Sequence, residues 1–362
     1  MHTYTTTEDE RIQIETHMRV CLSVSEDRRR IRTISPSEPI LSEGAAHVMT
    51  QTTFPAASFL LNILTSFAIH QGDRGELVAL LLLTLARDRV SRQSSTSLLP
   101  NSLDHNIPAG FFKMVDFLPA LLRIPKSSND IFMSILEATP SVYRTESEKK
   151  VLLKEAFADV YVHFNHFIKP LEQDDLDFGT LQEMFARNAA VLCATSQHGI
   201  DVAMPTIKGH VVVKTAASLF VIQLKNDSNY SAAVQEDLLH SMNPVTLGLI
   251  KEDEVLPVPL IRMVLCLAGE RKAVKFVSEQ RKGNFTSYDI WVSGVDNEVF
   301  SIIQPDDNDT WGQLLRPQDW KKEFQPKRPE VNALLKTLMP SASREPSFRT
   351  WFKQDPPAVS QD

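Results

Sequence analysis

Apolar and polar positions divide the chain into a helical first half and a β-rich second half. Between residues 37 and 90 the apolar residues recur at helical spacing, with one helix opening at Ser37-Glu38-Pro39 and another after Pro55. Residues 77–86 are apolar on nearly every face, which predicts a buried central helix. Arg87, Asp88 and Arg89 are expected to end this helix in solvent.

The helical pattern continues toward the middle of the chain. The serine-rich stretch 91–110 predicts a loop, and helices are expected over 111–122, 146–168 and 176–188. Residues 91–188 are therefore interpreted as a long helical insertion.

The pattern changes at Ala189, where short β-rich segments begin. Four of them follow closely within residues 189–225, and two more strand-bearing stretches lie at 257–268 and 288–303. These segments predict an α/β fold with a central mixed β-sheet flanked by helices, including one after Lys225. The expected division is an N-terminal extension with weak order and one short strand near 19–24 (1–35), a helical part (36–90), the helical insertion (91–188), a β-rich core (189–304) and a C-terminal extension with one helix at 329–338 (305–362).

Composition and charge narrow the class of protein. Hydrophobic residues make up 43% of the chain, enough for a sizeable core, and the formal charge of -7 argues against a generally basic nucleic-acid coat. Three widely spaced cysteines argue against a disulfide framework. The chain shows neither a secretory signal nor an apolar run long enough for a membrane span, so we expect an intracellular protein, cytoplasmic or nuclear.

The residues that indicate chemistry lie between Ser196 and Tyr230. Asp201 follows Gly199-Ile200 at the entry to a strand, and a second apolar strand ends in Gln223-Leu224-Lys225. Because side chains alternate along a strand, Gln223 and Lys225 point to one face. The spacing allows a hairpin that brings Asp201 beside them. A carboxylate and an amide oxygen could then hold a divalent cation, and the lysine could steer a water.

These motifs resemble the PD-(D/E)XK (restriction-endonuclease-like) nuclease superfamily, most closely its Mrr-like branch, over about 30 residues. The resemblance implies a restriction-endonuclease-like fold and hydrolysis of phosphodiester bonds in nucleic acid, DNA more than RNA, with Mg²⁺ or Mn²⁺. It implies that Asp201, Gln223 and Glu76, the last on the first core helix, hold the metal, and that Lys225 assists the attacking water. The chain's general pattern is also similar to uncharacterised fungal proteins.

The sequence departs from the superfamily pattern in two respects, which leaves other functions open. Glu76 and Asp201 are far apart in sequence, which requires the long insertion, and Gln223 stands where Glu is commoner. The alternatives are a catalytically inactive module on the same scaffold that binds nucleic acid or protein, and a helical adaptor in which the motif is accidental. In the accidental case Asp201 caps a turn and Glu76 is an acid favoured near a helix N-terminus.

Other candidate residues have structural interpretations beside the functional ones. Asp159, His163 and His166 have the spacing of one helix face, which suits a metal site or an ordinary aromatic helix. Cys193 is expected to pack rather than react. Residues 226–230 fit either a phosphate contact or a turn. The basic residues at 271–275 and 280–282 fit either a nucleic-acid contact or a solvated loop.

Overall fold

The structure is a computed structural model, and it describes residues 3–5, 20–24, 31–34, 38–51, 54–65, 71–97, 111–125, 134–170, 176–194, 197–230, 233–277 and 279–316. Near the N-terminus, strands β1 (Thr3–Thr5), β2 (Val20–Val24) and β3 (Ile31–Ile34) form a small antiparallel sheet in the order β1-β3-β2. The short strand expected near residues 19–24 is therefore confirmed.

Three helices follow. They are α1 (Glu38–Gln51), α2 (Ala56–Thr65) and the long α3 (Gln71–Ser97). The helix starts expected at Ser37-Glu38-Pro39 and after Pro55 are confirmed. Proline favours the first turn of a helix, where its missing N–H would have no partner within the helix.

The rest of the described chain builds one large sheet and its flanking helices. In chain order the elements are β4 (Phe112–Lys113), α4 (Met114–Leu121), β5 (Val142–Tyr143), α5 (Leu153–Ala156), β6 (Val160–Val162), β7 (His166–Ile168), α6 (Phe178–Ala186), β8 (Ala189–Leu192), β9 (Val202–Lys208), β10 (Ala217–Lys225), α7 (Glu236–Ser241), β11 (Leu260–Cys266), β12 (Ala273–Phe276), β13 (Arg281–Lys282), β14 (Ser287–Ser293) and α8 (Asn308–Leu315).

Strand order places β10 at the centre of a mixed sheet. The order is β13-β5-β14-β11-β10-β9-β6-β4, with β12 on β14 and β7-β8 joined to β9. Strand β10 runs antiparallel to β9 and parallel to β11, and β11 runs parallel to β14. The expected α/β class, with a mixed sheet flanked by helices, is confirmed.

The two faces of β10 enter different cores. Phe220, Ile222 and Leu224 pack with helices α3, α4 and α8 on the face we call the α3 face. Leu219 and Val221 pack with α6 and α7 on the opposite face, the α7 face. Both faces are covered by helices, so the strand is apolar at nearly every position.

Helix α3 is the central buried helix that its apolar run predicts. Val78, Leu82 and Ala86 have no exposed surface. The expected end at residues 87–89 was wrong, because the helix continues to Ser97. Arg87 and Asp88 are buried rather than solvated. Their burial is tolerated because Arg87 forms ion pairs with Asp88 and with Glu43 of α1.

The stretch expected to be a helical insertion is largely not helical. Residues 91–97 belong to α3, residues 112–168 contribute four short strands to the sheet, and between them only α4 and α5 are α-helices among the described residues. The helix expected over 146–168 was wrong for the same reason, whereas the helix expected over 176–188 is confirmed by α6. Strands β6 and β7 are three residues long, too short to show the alternation by which a strand is recognised.

Some expectations fall outside the described residues. They concern the rest of the N-terminal extension, the loop at 98–110, the helix at 329–338 and the C-terminal extension after residue 316. Within the described chain, no helix combines the length and the apolar character needed to cross a membrane.

Candidate functional site

The β9-β10 hairpin places Asp201 beside the end of β10. The last paired residues are Val202 and Ile222, and the Asp201 N–H donates to the carbonyl of Ile222. Continuing this register sets Asp201 opposite Gln223. Since Ile222 faces α3, the alternation along β10 puts Gln223 and Lys225 on the α7 face, while Asp201 directly precedes the first residue of β9.

The Asp201 carboxylate is fixed by the backbone at the end of β10. Its Oδ2 atom accepts a hydrogen bond of 2.6 Å from the Leu224 N–H. Burial raises the pKa of this carboxyl, while the Leu224 N–H and the Lys225 ammonium act in the opposite direction. The Asp201 side chain is therefore oriented and partly desolvated, and the Lys225 ammonium lies near enough to stabilise its negative charge.

Gln223 carries a buried carbonyl oxygen that lacks a hydrogen bond. The residue is 7% exposed, and its Oε1 atom has no partner within the described part of the chain. A buried polar atom left unsatisfied costs about 1–3 kcal/mol, so such atoms are uncommon unless a ligand or ion completes them. In the continued register of the hairpin, Gln223 lies opposite Asp201.

Helix α3 reaches this end of the sheet through a close backbone approach. A Cβ atom on Gly75 would lie 2.7 Å from the Cβ of Asn226, the residue after β10. Glycine at position 75 therefore lets the helix touch the strand end, and this contact carries the neighbouring Glu76 toward the hairpin. Glu76 lies in the second turn of α3, one turn later than its apolar run predicts.

Glu76 and Asp201 are close enough to affect each other's charge. Burial raises the pKa of Glu76, and the carboxylates of Asp201 and Asp73 raise it further, while the Lys169 ammonium lowers it. Two half-buried carboxylates repel each other, and a cation between them stabilises both in the ionised form. The structure thus places Glu76 within electrostatic range of Asp201, and Asp201 within range of Lys225, although these residues come from three separate stretches of chain. Gln223 points to the α7 face of β10, opposite to the face that α3 covers.

Two further residues lie at the site, and of these only Lys169 was not identified from the sequence. Lys169 is exposed, follows β7 and acts electrostatically on Glu76. Tyr230 lies under Lys225, whose Nζ is 5.4 Å from the centre of the ring. The position of Lys169 depends on the parallel pairing of β7 with β8, which no local pattern indicates. Tyr230 sits in the stretch that fits either a phosphate contact or a turn.

The donor set suits a hard divalent cation. No group of three or more His, Cys, Asp or Glu side chains with metal-binding geometry occurs in the part of the chain that the structure describes. The set here has only two carboxylates, Glu76 and Asp201, with the amide oxygen of Gln223. Mg²⁺ is commonly held by one or two carboxylates and completes its shell with water, so these residues fit Mg²⁺ or Mn²⁺.

The other candidates have structural roles. Residues 160–162 and 166–168 are strands, so Asp159, His163 and His166 do not share a helix face, and His163 is buried against Phe111 with ring centres 3.9 Å apart. Burial raises the pKa of the Cys193 thiol to about 12, which disfavours the reactive thiolate. Asp227 Oδ1 accepts from the Asn229 N–H in a turn.

The basic residues at 271–275 and 280–282 lie around strands β12 and β13, outside the hairpin. Lys272 forms an ion pair with Asp296. Arg281 and Lys282 form β13, which the strand order separates from β10 by three other strands. Arg281 and Lys282 therefore do not extend the surface around Asp201.

Comparison with known proteins adds one finding. A family model described as a domain of unknown function (DUF8736) matches residues 10–106. No curated protein and no solved structure matches the chain. The matched stretch contains α1, α2 and α3, and hence Glu76, but it stops before the hairpin that carries Asp201, Gln223 and Lys225.

Proposed function

We propose that this protein is a metal-dependent phosphodiesterase that cleaves nucleic acid, DNA foremost, on a restriction-endonuclease-like scaffold. The observation that supports the proposal most is the electrostatic interaction of Glu76 with Asp201 of the hairpin, although 124 residues lie between the two acids. A sequence match by accident gives no reason for a distant helix to deliver an acid to the same strand end. The PD-(D/E)XK resemblance implies such an acid on the first core helix.

The geometry supports distinct roles for the four residues. Glu76, Asp201 and Gln223 would hold Mg²⁺ or Mn²⁺. A divalent cation bound there offsets negative charge on the scissile phosphate and lowers the pKa of a water. The Leu224 N–H holds the Asp201 carboxylate in one orientation, which reduces the cost of arranging the ligands.

Lys225 would act on the substrate side of the site. Its ammonium is free to donate up to three hydrogen bonds, so it can orient the attacking water and stabilise negative charge that develops on a phosphate oxygen. The Tyr230 ring holds the Lys225 side chain by a cation–π contact. Lys169, exposed near Glu76, adds positive charge that attracts a phosphate group.

Plasmid nicking tests this proposal. We expect the wild-type protein to nick supercoiled plasmid in the presence of Mg²⁺ or Mn²⁺ and to lose nicking when EDTA is added. Asp201→Ala and Lys225→Ala should each reduce the rate by roughly 10²-fold or more, because each removes a group that acts in the transition state. Exposed residues of the same charge, changed as Asp237→Ala and Lys208→Ala, provide matched controls and should keep the wild-type rate.

The outcomes separate the proposal from its alternatives. Nicking that persists in both Asp201→Ala and Lys225→Ala would come from another site or a contaminant and would contradict the assignment. Binding of DNA without cleavage on supercoiled, linear and single-stranded substrates would favour the inactive interaction module. If the protein neither binds nor cleaves DNA or RNA, the motif is accidental.

A further inference from the structure

A second polar site lies at the other end of α3, in a cleft between α1 and α3. The cleft has a volume of about 880 Å³ and is lined by Glu43 and His47 from α1, by Arg87, Arg89 and Arg92 from α3, and by Gln304. Its size lies within the range of small-molecule sites. Along the helix axis it is separated from Glu76 by roughly 20 Å, given a rise of about 1.5 Å per residue.

The acids of the cleft are already engaged by one buried arginine. Arg87 is 3% exposed and binds the carboxylates of both Glu43 and Asp88, while its Nε donates to the Phe164 carbonyl at 3.1 Å. These hydrogen bonds hold the Arg87 side chain in one conformation at the base of the cleft. Arg87 thus offsets one of the two negative charges of Glu43 and Asp88, and Asp88 also interacts electrostatically with Arg92.

Two further arginines meet at a single carbonyl oxygen. Arg89 Nη1 donates to the Ser301 carbonyl at 2.8 Å, and Arg123 Nη2 donates to the same oxygen at 3.2 Å. Their donor nitrogens thus lie within about 6 Å of each other, a distance at which two like charges repel. Among the described residues, neither guanidinium forms an ion pair with a carboxylate.

The backbone holds this arginine pair in place. The Arg123 N–H donates to the Val299 carbonyl, and the Ser301 N–H donates to the Leu121 carbonyl. Ser301 directly precedes Ile302, which lines the cleft. The pair is therefore built on rigid backbone at the edge of the cleft rather than on mobile side chains alone.

We infer that the cleft binds a small molecule that carries a phosphate group, with Arg89 and Arg123 as its anion-binding residues. Each guanidinium presents a planar fork of donors that matches phosphate oxygens, and one carbonyl uses only one donor of each. A doubly charged anion would relieve the repulsion between the two cations. The volume of the cleft exceeds that of a phosphate group and accommodates the remainder of the molecule.

Calorimetric titration with inorganic pyrophosphate in EDTA tests the inference. We expect saturable binding to the wild-type protein, weakened about tenfold or more by Arg123→Gln or Arg89→Gln, because each removes a charge-assisted contact. Arg187→Gln changes an arginine that is exposed like Arg123 and directly follows α6, and this control should bind as the wild type does. Arg123 is exposed, so its variant remains informative if Arg89→Gln does not fold.

Three results would overturn the inference. They are the lack of saturable binding by the wild-type protein, unchanged affinity in Arg123→Gln, and loss of binding in Asp201→Ala with retention in Arg123→Gln. The last result would place pyrophosphate at the hairpin site instead of the cleft. The inference does not depend on the proposed nuclease activity, since the titration contains no divalent metal and reads binding alone.

Discussion

At the scale of single residues, the site depends on side chains whose roles are set by their neighbours. The alternation along β10 is enough to predict that Gln223 and Lys225 share a face, and Gly-Ile-Asp is enough to predict the entry strand. Sequence spacing does not show that the Gln223 oxygen is buried without a hydrogen bond, or that Tyr230 lies under Lys225. Both facts depend on what packs around the strand end.

Gly75 gives a prediction about the contact between α3 and the hairpin. Gly75→Ala should lower the free energy of unfolding by about 1–3 kcal/mol, because its Cβ would overlap the Cβ of Asn226. Denaturant unfolding measures the change. Gly72 lies in the same helix with no atom near its Cβ position, so Gly72→Ala should be neutral or stabilising by up to about 1 kcal/mol.

A second-site change checks the stated cause. Asn226→Gly removes the atom that Gly75→Ala would strike, so the loss in the double variant should be smaller than the sum of the two single losses. Equal destabilisation by Gly72→Ala and Gly75→Ala would contradict the stated cause, because a Cβ on Gly72 has no atom to strike.

His163 gives a prediction about pH. Burial lowers the pKa of its imidazole to about 4, whereas an unfolded chain has a histidine pKa near 6.5. The unfolded state therefore takes up a proton first as pH falls. The resulting stability is fully present above about pH 6.5, and roughly 3 kcal/mol of it is lost as pH falls toward 4.

Unfolding measured between pH 4 and 7 tests this prediction. His163→Phe keeps a ring against Phe111 but cannot be protonated, so its stability should fall less steeply than that of the wild type over this range. His210→Phe, at an exposed histidine, should retain the wild-type slope. Identical slopes for wild type and His163→Phe would show that other groups cause the acid sensitivity.

At the scale of elements, long periodic segments were predicted well and short ones were not. Helix α3 and strands β10 and β11 each bury many apolar residues, so their patterns are clear in the sequence. Strands β4 to β7 have two or three residues and are strands only because neighbouring strands bind them. The position of Lys169 after β7 was missed for this reason.

A buried ion pair connects α7 to the sheet. Arg262 of β11 binds Asp289 of β14 through Nε at 2.7 Å and through Nη2, and its Nη1 donates to the Leu239 carbonyl of α7 at 2.8 Å. Arg262→Met should lower the free energy of unfolding by about 3–5 kcal/mol, because it leaves Asp289 charged, buried and without its cation. Thermal or denaturant unfolding measures this loss.

The paired change distinguishes the ion pair from simple packing. Arg262→Met with Asp289→Leu removes both charges, so the double variant should be more stable than Arg262→Met alone. If the two losses simply add, the charge left behind is not the source of the destabilisation.

At the scale of the whole molecule, the N-terminal and C-terminal halves share one core. Val78, Leu82 and Ala86 of α3 pack in the same cluster as Phe220 and Ile222 of β10. The fold class follows from the order of patterns along the chain, but the delivery of Glu76 to the hairpin is a property of this joint core. It could be expected only through the family resemblance.

Cutting the chain between α3 and β4 tests the shared core. A fragment of residues 107–362 lacks α3, so we expect it to lack a cooperative unfolding transition when produced alone. Co-expression with residues 1–106 should restore a folded complex, detectable by co-purification and by circular dichroism. A fragment 107–362 that folds cooperatively by itself would contradict a shared core.

The outer strands of the large sheet have a consequence for behaviour at high concentration. In the described part of the chain, its outermost strands are β4, β7, β12 and β13, none longer than four residues. Exposed strand edges recruit other chains through their free backbone groups, and short edges offer few of them. The large sheet should therefore resist the edge-to-edge strand pairing between molecules that leads to fibrils.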